Sequence, residues 1–535
     1  MNWTDHLVVA PIIVPMIVGA VMILAGDRSR TLVIALGFVS TLALVGIAIL
    51  LLNMTVAPEV RIYRIGDWPA LFGIVLVHDR LSALMIALVA VLGFAAFISS
   101  LARWDRAGPF FHPLLQFQLM GLNGAFLTGD LFNLFVFFEV MLAASYGLAL
   151  HGSGTVRVRA GLHYIVINLV ASLLFLIGVS VVYGVSGTLS MAGLASRIRD
   201  VADADRALLE AGLAVMGVAF LVKAAAWPLG FWLPSTYAAA SAPAAAILSI
   251  LSKVGVYAVM RVWLLLFGET AGASAGVGGH VLVGIGLVTV AFGAIAILAA
   301  QTLPRVAGAS VFVSSGTLLA AVGTGQATVT GGALLYLVSS VLALGAFFLL
   351  IELVERGREV GADMLAVTRE AFGTGEHEDD LQEPEEVGVA IPATVAILGL
   401  CFAGCGLLLA GLPPLSGFLA KFAILSPLLE PPGNEIPVIR WVIVASLILS
   451  GLATVISMVR LGIDVFWTSP PVTVPRVSIL ELAPIGLLLA LCAGLTVAAG
   501  PVLDYMLAAS TGLHAPQAYV DAVLGSPALL GAAGR

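Results

Sequence analysis

Apolar residues in this chain do not alternate with polar ones; they run in near-continuous blocks separated by short polar joints. About 20 residues of helix cross the roughly 30 Å hydrocarbon layer of a bilayer. Fourteen blocks of that kind are read, at roughly 7–25, 31–52, 80–101, 111–129, 131–150, 160–183, 208–230, 241–266, 278–300, 304–323, 330–352, 388–429 (broken), 438–463 and 478–500. Period-two stretches do not recur, so the pattern predicts an all-α polytopic membrane protein of about fourteen transmembrane helices. Segment 57–78, with GDWPALFGI inside it, is expected as an ordered surface loop at headgroup level. Residues 188–206 read as a surface amphipathic piece. The opening MNWTDHLVVAPIIV has no basic region and no small-residue cleavage site, which predicts a retained first helix rather than a signal peptide.

Composition sharpens this class. A hydrophobic share of 60%, a charged share of 10% and a mean hydropathy of +1.10 lie far from soluble averages. The joints are too short to build a cofactor domain, and no nucleophile triad, glycine-rich phosphate loop or histidine-rich metal cluster stands out. No cofactor, no metal and no catalysis on an organic substrate are therefore expected. Cys401, Cys405 and Cys492 lie in apolar blocks without metal-ligand spacing and read as small packing residues. Arginines favour the odd-numbered joints, among them Arg28, Arg30, Arg103, Arg106, Arg157 and Arg159, which puts both termini on the outer side. The acidic loop at 369–387 reads as a solvated connection.

The positive charges divide in an informative way. The chain has only three lysines, Lys223, Lys253 and Lys421, and all three fall inside apolar blocks, whereas the joints rely on arginine. A charged lysine at mid-membrane costs about 3 kcal/mol even on the lenient insertion scale, so such residues usually face a protein interior or a water-filled path. Glu139 is the acid set deep in a block, with Asp130 at that block's edge. A lone carboxylate at this depth must be neutralised or paired. Lys223 is its natural partner.

Prolines lie close to these charges. Pro228 interrupts the helix one turn after Lys223, with Pro234 and Pro243 following. Pro413, Pro414 and Gly417 interrupt a second block just before Lys421. Carbonyls freed by these prolines could hold water or a cation, and two interrupted helices in corresponding halves point to a transporter built from repeats. Further relay candidates are His163 and Asn168, Ser314 and Ser315, and Tyr336, Ser339 and Ser340, each also an ordinary interhelical hydrogen bonder.

Glu139 in FFEVMLAASYGL, Lys223 in LVKAAAWPLGFWLP, Lys253 in SAPAAAILSILSKVGVYAVMR and Lys421 in GLPPLSGFLAKF resemble the antiporter-like subunits shared by multisubunit cation/proton antiporters and respiratory complex I. GDWPALFGIVLVHDRLS and AFLTGDLFNLFVFFE are most similar to the D-type subunits of Mrp antiporters, also called Pha or Mnh. That resemblance implies two inverted five-helix repeats, at 111–266 and 278–464, between an N-terminal part at 1–110 and a C-terminal part at 465–535. Each repeat would hold one discontinuous helix. It implies a proton path gated by Glu139 and Lys223, relayed by Lys253 and ended by Lys421. It also implies exchange of protons for Na+ or K+ across a bacterial inner membrane, beside partner subunits A, B, C, E, F and G. Relatives are expected to carry a histidine where Ser339 stands, so bound water would have to help there. The same residues would also serve a proton-pumping membrane subunit of an NADH:quinone oxidoreductase or membrane hydrogenase, which remains the alternative.

Overall fold

The structure is a computed structural model that describes residues 3–56, 60–68, 73–371, 393–430, 436–466 and 477–525. It is almost entirely helical. Helices α1 (Ala10–Ala25) and α2 (Arg30–Met54) lead into an antiparallel strand pair, β1 (Arg61–Arg64) and β2 (Val75–His78), with Arg61 opposite His78. The loop expected at 57–78 is thus partly a two-stranded sheet. Its second strand, VLVH, is fully buried, which gives that apolar stretch a reason to be extended. Helix α3 (Arg80–Ser100) starts at a capping box in which Asp79 accepts from the Ser82 amide and Ser82 accepts from the Asp79 amide.

Next come α4 (Phe111–Leu127), α5 (Leu131–Leu150), α6 (Thr155–Ser186), α7 (Met191–Arg197) and α8 (Asp203–Lys223). Asp130, at the edge of its block, is the cap of α5 and accepts from the amides of Phe132 and Asn133. The stretch 188–206 is less superficial than its sequence suggests, because Met191, Ala192, Gly193 and Leu194 of α7 are buried. Short helices α9 (Leu233–Ala239) and α10 (Ala242–Leu248) precede α11 (Leu251–Phe267), α12 (Gly279–Ala299), α13 (Leu303–Gly323) and α14 (Ala327–Ala371). Helix α14 runs well past the expected end near 352, since no proline interrupts it. Residues 369–371 of the expected acidic loop belong to the end of this helix, and the rest of it, 372–387, lies outside the described residues. Helices α15 (Ala393–Ala410), α16 (Ser416–Leu429), α17 (Val438–Phe466) and α18 (Ile479–Val497) follow, and the chain continues as α19 (Ala499–His514) and α20 (Gln517–Leu524).

Among the described residues, eleven spans are long and apolar enough to cross a membrane, with α10 and α11 counting as one; α1 and α16 are apolar but shorter. The chain is a polytopic, multi-pass membrane protein. The most apolar 18-residue stretches of α13 and of the 327–356 part of α14 are wholly buried within it, whereas those of α2, α15 and α18 leave most of their residues outside. An all-round apolar helix in the first position is core; in the second it faces lipid or another subunit.

Small residues set the closest approaches, as expected where apolar surface alone gives no drive for helices to associate. A Cβ on Gly316 of α13 would lie 2.7 Å from the carbonyl oxygen of Gly286 on α12, and one on Gly286 would lie 2.4 Å from the Ala320 nitrogen. A Cβ on Gly255 of α11 would lie 2.3 Å from the Ala224 nitrogen, so this glycine lets the helix carrying Lys253 rest against the end of the helix carrying Lys223.

Candidate proton path

Every lysine sits within about two turns of a place where a helix stops. Helix α8 ends on Lys223 itself, and the chain then turns through Ala225, whose φ of +56° lies in the left-handed region. The block read over 208–230 is thus interrupted near Pro228 as expected, though the helix already stops at Lys223, while Pro234 and Pro243 open α9 and α10 rather than breaking a helix. Lys253 lies in the first turn of α11. The interruption before it, at Ser249 and Ile250, has no proline to announce it. There the Tyr237 hydroxyl donates to the Leu248 carbonyl at 2.5 Å. The third interruption separates α15 from α16, which carries Lys421. Pro413 and Pro414 lie exposed in that turn, as Pro228 does in the first.

Side chains answer carbonyls at all three interruptions. Trp232 Nε1 donates to Val222 at 3.2 Å, Tyr237 to Leu248, and the Lys421 ammonium to Ala410 at 2.7 Å. The Ala410 carbonyl, expected as a seat for water or a cation, is thus held by the lysine. Gly417 is required for this packing, since a Cβ there would fall 2.1 Å from the Leu408 carbonyl oxygen. Gly411, at φ +75°, leaves room for the Lys421 stem, and Gly451 of α17 faces both the ammonium and the Ala410 oxygen.

In the first half, Glu139 is partly buried and accepts a hydrogen bond from Ser172 of α6. Lys223 is buried, and its ammonium has no hydrogen-bond partner among the described residues; it lies 5.2 Å from the centre of the Phe138 ring. Glu139 and Lys223 lie close enough to act on each other electrostatically, but among the described residues the nearer contacts are a serine on the acid and an aromatic face on the base. A cation over a ring face is stabilised by the ring's quadrupole, more so when desolvated. Ser172 and Phe138 were not singled out from sequence, although Phe138 adjoins Glu139.

Between the halves the polar groups form pairs of hydroxyls. Lys253, fully buried, donates to Ser315 at 3.0 Å. The neighbouring Ser314 donates to Ser340 at 2.9 Å, and Ser339 shares a 2.8 Å hydrogen bond with Ser416 at the start of α16. Ser314, Tyr336, Ser339, Ser340 and Gly417 line one small cavity. Ser416, overlooked in the sequence because a serine between leucine and glycine carries no signal, thus links Ser339 to the helix of Lys421.

Other candidates stand apart. His163 is exposed on α6 with its ring 5.2 Å from that of Phe231. Asn168 is buried and donates to the Tyr164 carbonyl. A buried ion pair also escaped the sequence reading: Arg261 of α11 grips both carboxylate oxygens of Asp79, at 2.5 and 2.8 Å, between the rings of Tyr257 and Tyr519. It ties the cap of α3 to α11 and α20.

A bundle of buried, interrupted helices with lysines at the interruptions is the architecture of an ion-translocating membrane subunit. Residues 128–450 match the family described as "NADH:quinone oxidoreductase/Mrp antiporter, TM", and the chain belongs to that family. It is 55% identical, over 98% of its own length and 99% of the relative's, to the D-type subunit of a probable K(+)/H(+) antiporter of Rhizobium meliloti (strain 1021). It is 34% identical, over 97% of its length and 99% of the relative's, to the D-type subunit of a Na(+)/H(+) antiporter of Alkalihalophilus pseudofirmus (strain ATCC BAA-2126 / JCM 17055 / OF4). Its fold is similar to that of a chain in the Mrp complex from Dietzia sp. DQ12-45-1b, with a TM-score of 0.81 and 23% identity over 98% of this chain and 100% of that one.

Proposed function

We propose that this chain is the D-type subunit of a multisubunit monovalent cation/proton antiporter, a transporter rather than an enzyme, in which a proton gradient drives extrusion of K+ or Na+. The observation that carries this reading is the 55% identity, over nearly the whole of both chains, to a relative named for K+/H+ exchange. The 34% identity to a relative named for Na+/H+ exchange is lower, which makes K+ the cation to test first.

Protons would move along Glu139, Lys223, Lys253 and Lys421. The serine pairs support this order, because Ser315 meets Lys253 and Ser416 opens the helix of Lys421. With Ser339 in place of the expected histidine, hydroxyls and water would complete the relay through the cavity at Tyr336. Fourteen spans, two inverted five-helix repeats at 111–266 and 278–464, outward termini and a bacterial inner membrane complete the reading. Partner subunits A, B, C, E, F and G would cover helix faces left exposed.

The test is collapse of a proton gradient in inverted vesicles from antiporter-deficient cells expressing the chain with its genomic neighbours, on adding K+ and then Na+. Collapse that is lost in an assembled Lys223→Ala complex supports antiport through this path. An NADH-driven gradient that depends on Lys223, without a cation response, would instead make the chain a respiratory pump subunit.

A further inference from the structure

Helix α4 carries a polar stripe that the lysine path does not use. His112, Gln116 and Asn123 are spaced by four and seven residues, which sets them on one helical face. That face looks onto the first three helices. The His112 ring lies 5.2 Å from Phe97 of α3, Ser40 of α2 donates to Gln116 Oε1 at 2.8 Å, and Asn123 Nδ2 donates to the Pro11 carbonyl of α1 at 2.9 Å. The last contact has a local cause. Pro15, inside α1, has no N–H to offer the Pro11 carbonyl, so a side chain from α4 answers it.

The other polar atoms of the stripe are not answered by any described residue. Among the described residues, both ring nitrogens of His112, Nε2 of Gln116 and Oδ1 of Asn123 lack a hydrogen-bond partner, in residues at most 6% exposed. At the His112 end, Asp105 accepts from Arg30 Nε at 3.0 Å through Oδ2, while its Oδ1 also lacks a partner and its side chain is 1% exposed. Each buried polar group left unsatisfied costs about 1–3 kcal/mol. Stability margins of about 5–15 kcal/mol do not absorb several such losses in one bundle. Sites of this kind hold ordered water, which typically makes about three hydrogen bonds to the buried groups.

We propose that the α1–α4 bundle contains a second, lysine-free site, in which Asp105, His112 and Gln116 bind a cluster of water molecules and His112 exchanges protons with that water. A hydronium ion arriving at the Arg30–Asp105 end gives its proton to a free ring nitrogen of His112, leaving water and an imidazolium. Return of the proton to water restores the neutral ring. Burial acts most strongly on this ring and opposes an imidazolium; of the charged and titratable groups around it, Asp105 balances one, and Arg30 and His151 oppose it. Phe97 and Phe111 close its remaining sides. The site would hand protons on to the antiport rather than store them, since burial favours the neutral ring between transfers.

Two measurements test it. In electron cryomicroscopy maps of the assembled complex that show ordered water, non-protein density is expected within hydrogen-bond reach of His112 and Gln116 Nε2; a dry, collapsed pocket overturns the proposal. In inverted vesicles, His112→Leu is expected to lose exchange rate on the acid limb of the pH profile, where the ring takes up a proton, while keeping it on the alkaline limb. His112→Gln should retain the water density yet show the same loss. A profile unchanged in both variants overturns the proton role, and if either fails to assemble, the wild-type water density decides. The rate measurement rests on the antiport reading, which Lys223→Ala tests at every pH in the same vesicles; the density does not.

Discussion

The ammonium of Lys421 donates to the carbonyl oxygen of Ala410 at 2.7 Å, so the charge beyond the break in α15 and α16 is held by the backbone that the break releases. Gly451 of α17 completes this seat, since a Cβ there would lie 2.8 Å from the Ala410 oxygen and 3.3 Å from the ammonium. Gly451→Val is expected to displace the lysine and abolish exchange while the complex still assembles. Gradient collapse in vesicles, with assembly checked by native electrophoresis, reads both.

Glu139 and Lys223 each have a neighbour other than the opposite charge. Groups in direct contact couple by about 0.5–3 kcal/mol in double-mutant cycles. With Ser172 on Glu139 and Phe138 beside Lys223, the cycle between Glu139→Gln and Lys223→Met is expected near the bottom of that range when thermal stability in detergent is measured. The cycle between Glu139→Gln and Ser172→Ala should show the larger coupling.

Among the described residues, the ammonium of Lys253 donates to one hydroxyl, that of Ser315. Interhelical hydrogen bonds in membranes average about 0.6 kcal/mol, worth roughly threefold in a rate or equilibrium constant at 1.36 kcal/mol per factor of ten. Ser315→Ala is therefore expected to slow exchange by about threefold, whereas Lys253→Met abolishes it. Initial rates of cation-dependent gradient collapse separate the two.

His78 closes β2, outside the spanning helices, and its imidazole is held down from 6.5 to about 4. Burial is the main cause; Arg61 across the strand pair pushes the same way, and Asp79 opposes them without prevailing. As pH falls through 6.5 the unfolded chain takes up a proton that the folded chain refuses until about 4. Stability is therefore lost on acidification through that window and regained as pH rises. Melting temperatures of purified protein across this range are expected to fall less steeply for His78→Phe.

Length and hydropathy alone decided much of this protein. Unbroken apolar blocks can satisfy their backbone in lipid only as helices, and confining all three lysines to those blocks marked where charge had to be managed. Prolines located two of the three interruptions, at 228 and at 413–414, because a missing N–H is written in the residue itself. What answers each carbonyl was not legible. The split between α10 and α11 has no proline; it exists where the Tyr237 hydroxyl takes the Leu248 carbonyl, a contact between separate helices. Ser172 beside Glu139, Ser416 beside Ser339 and Asp79 beside Arg261 are likewise distant in sequence. A serine, glycine or asparagine in an apolar block reads the same whether it faces lipid, a backbone or a buried charge. Only tertiary packing decides among these, because a polar atom in a low-dielectric interior must find its partner wherever the fold brings one.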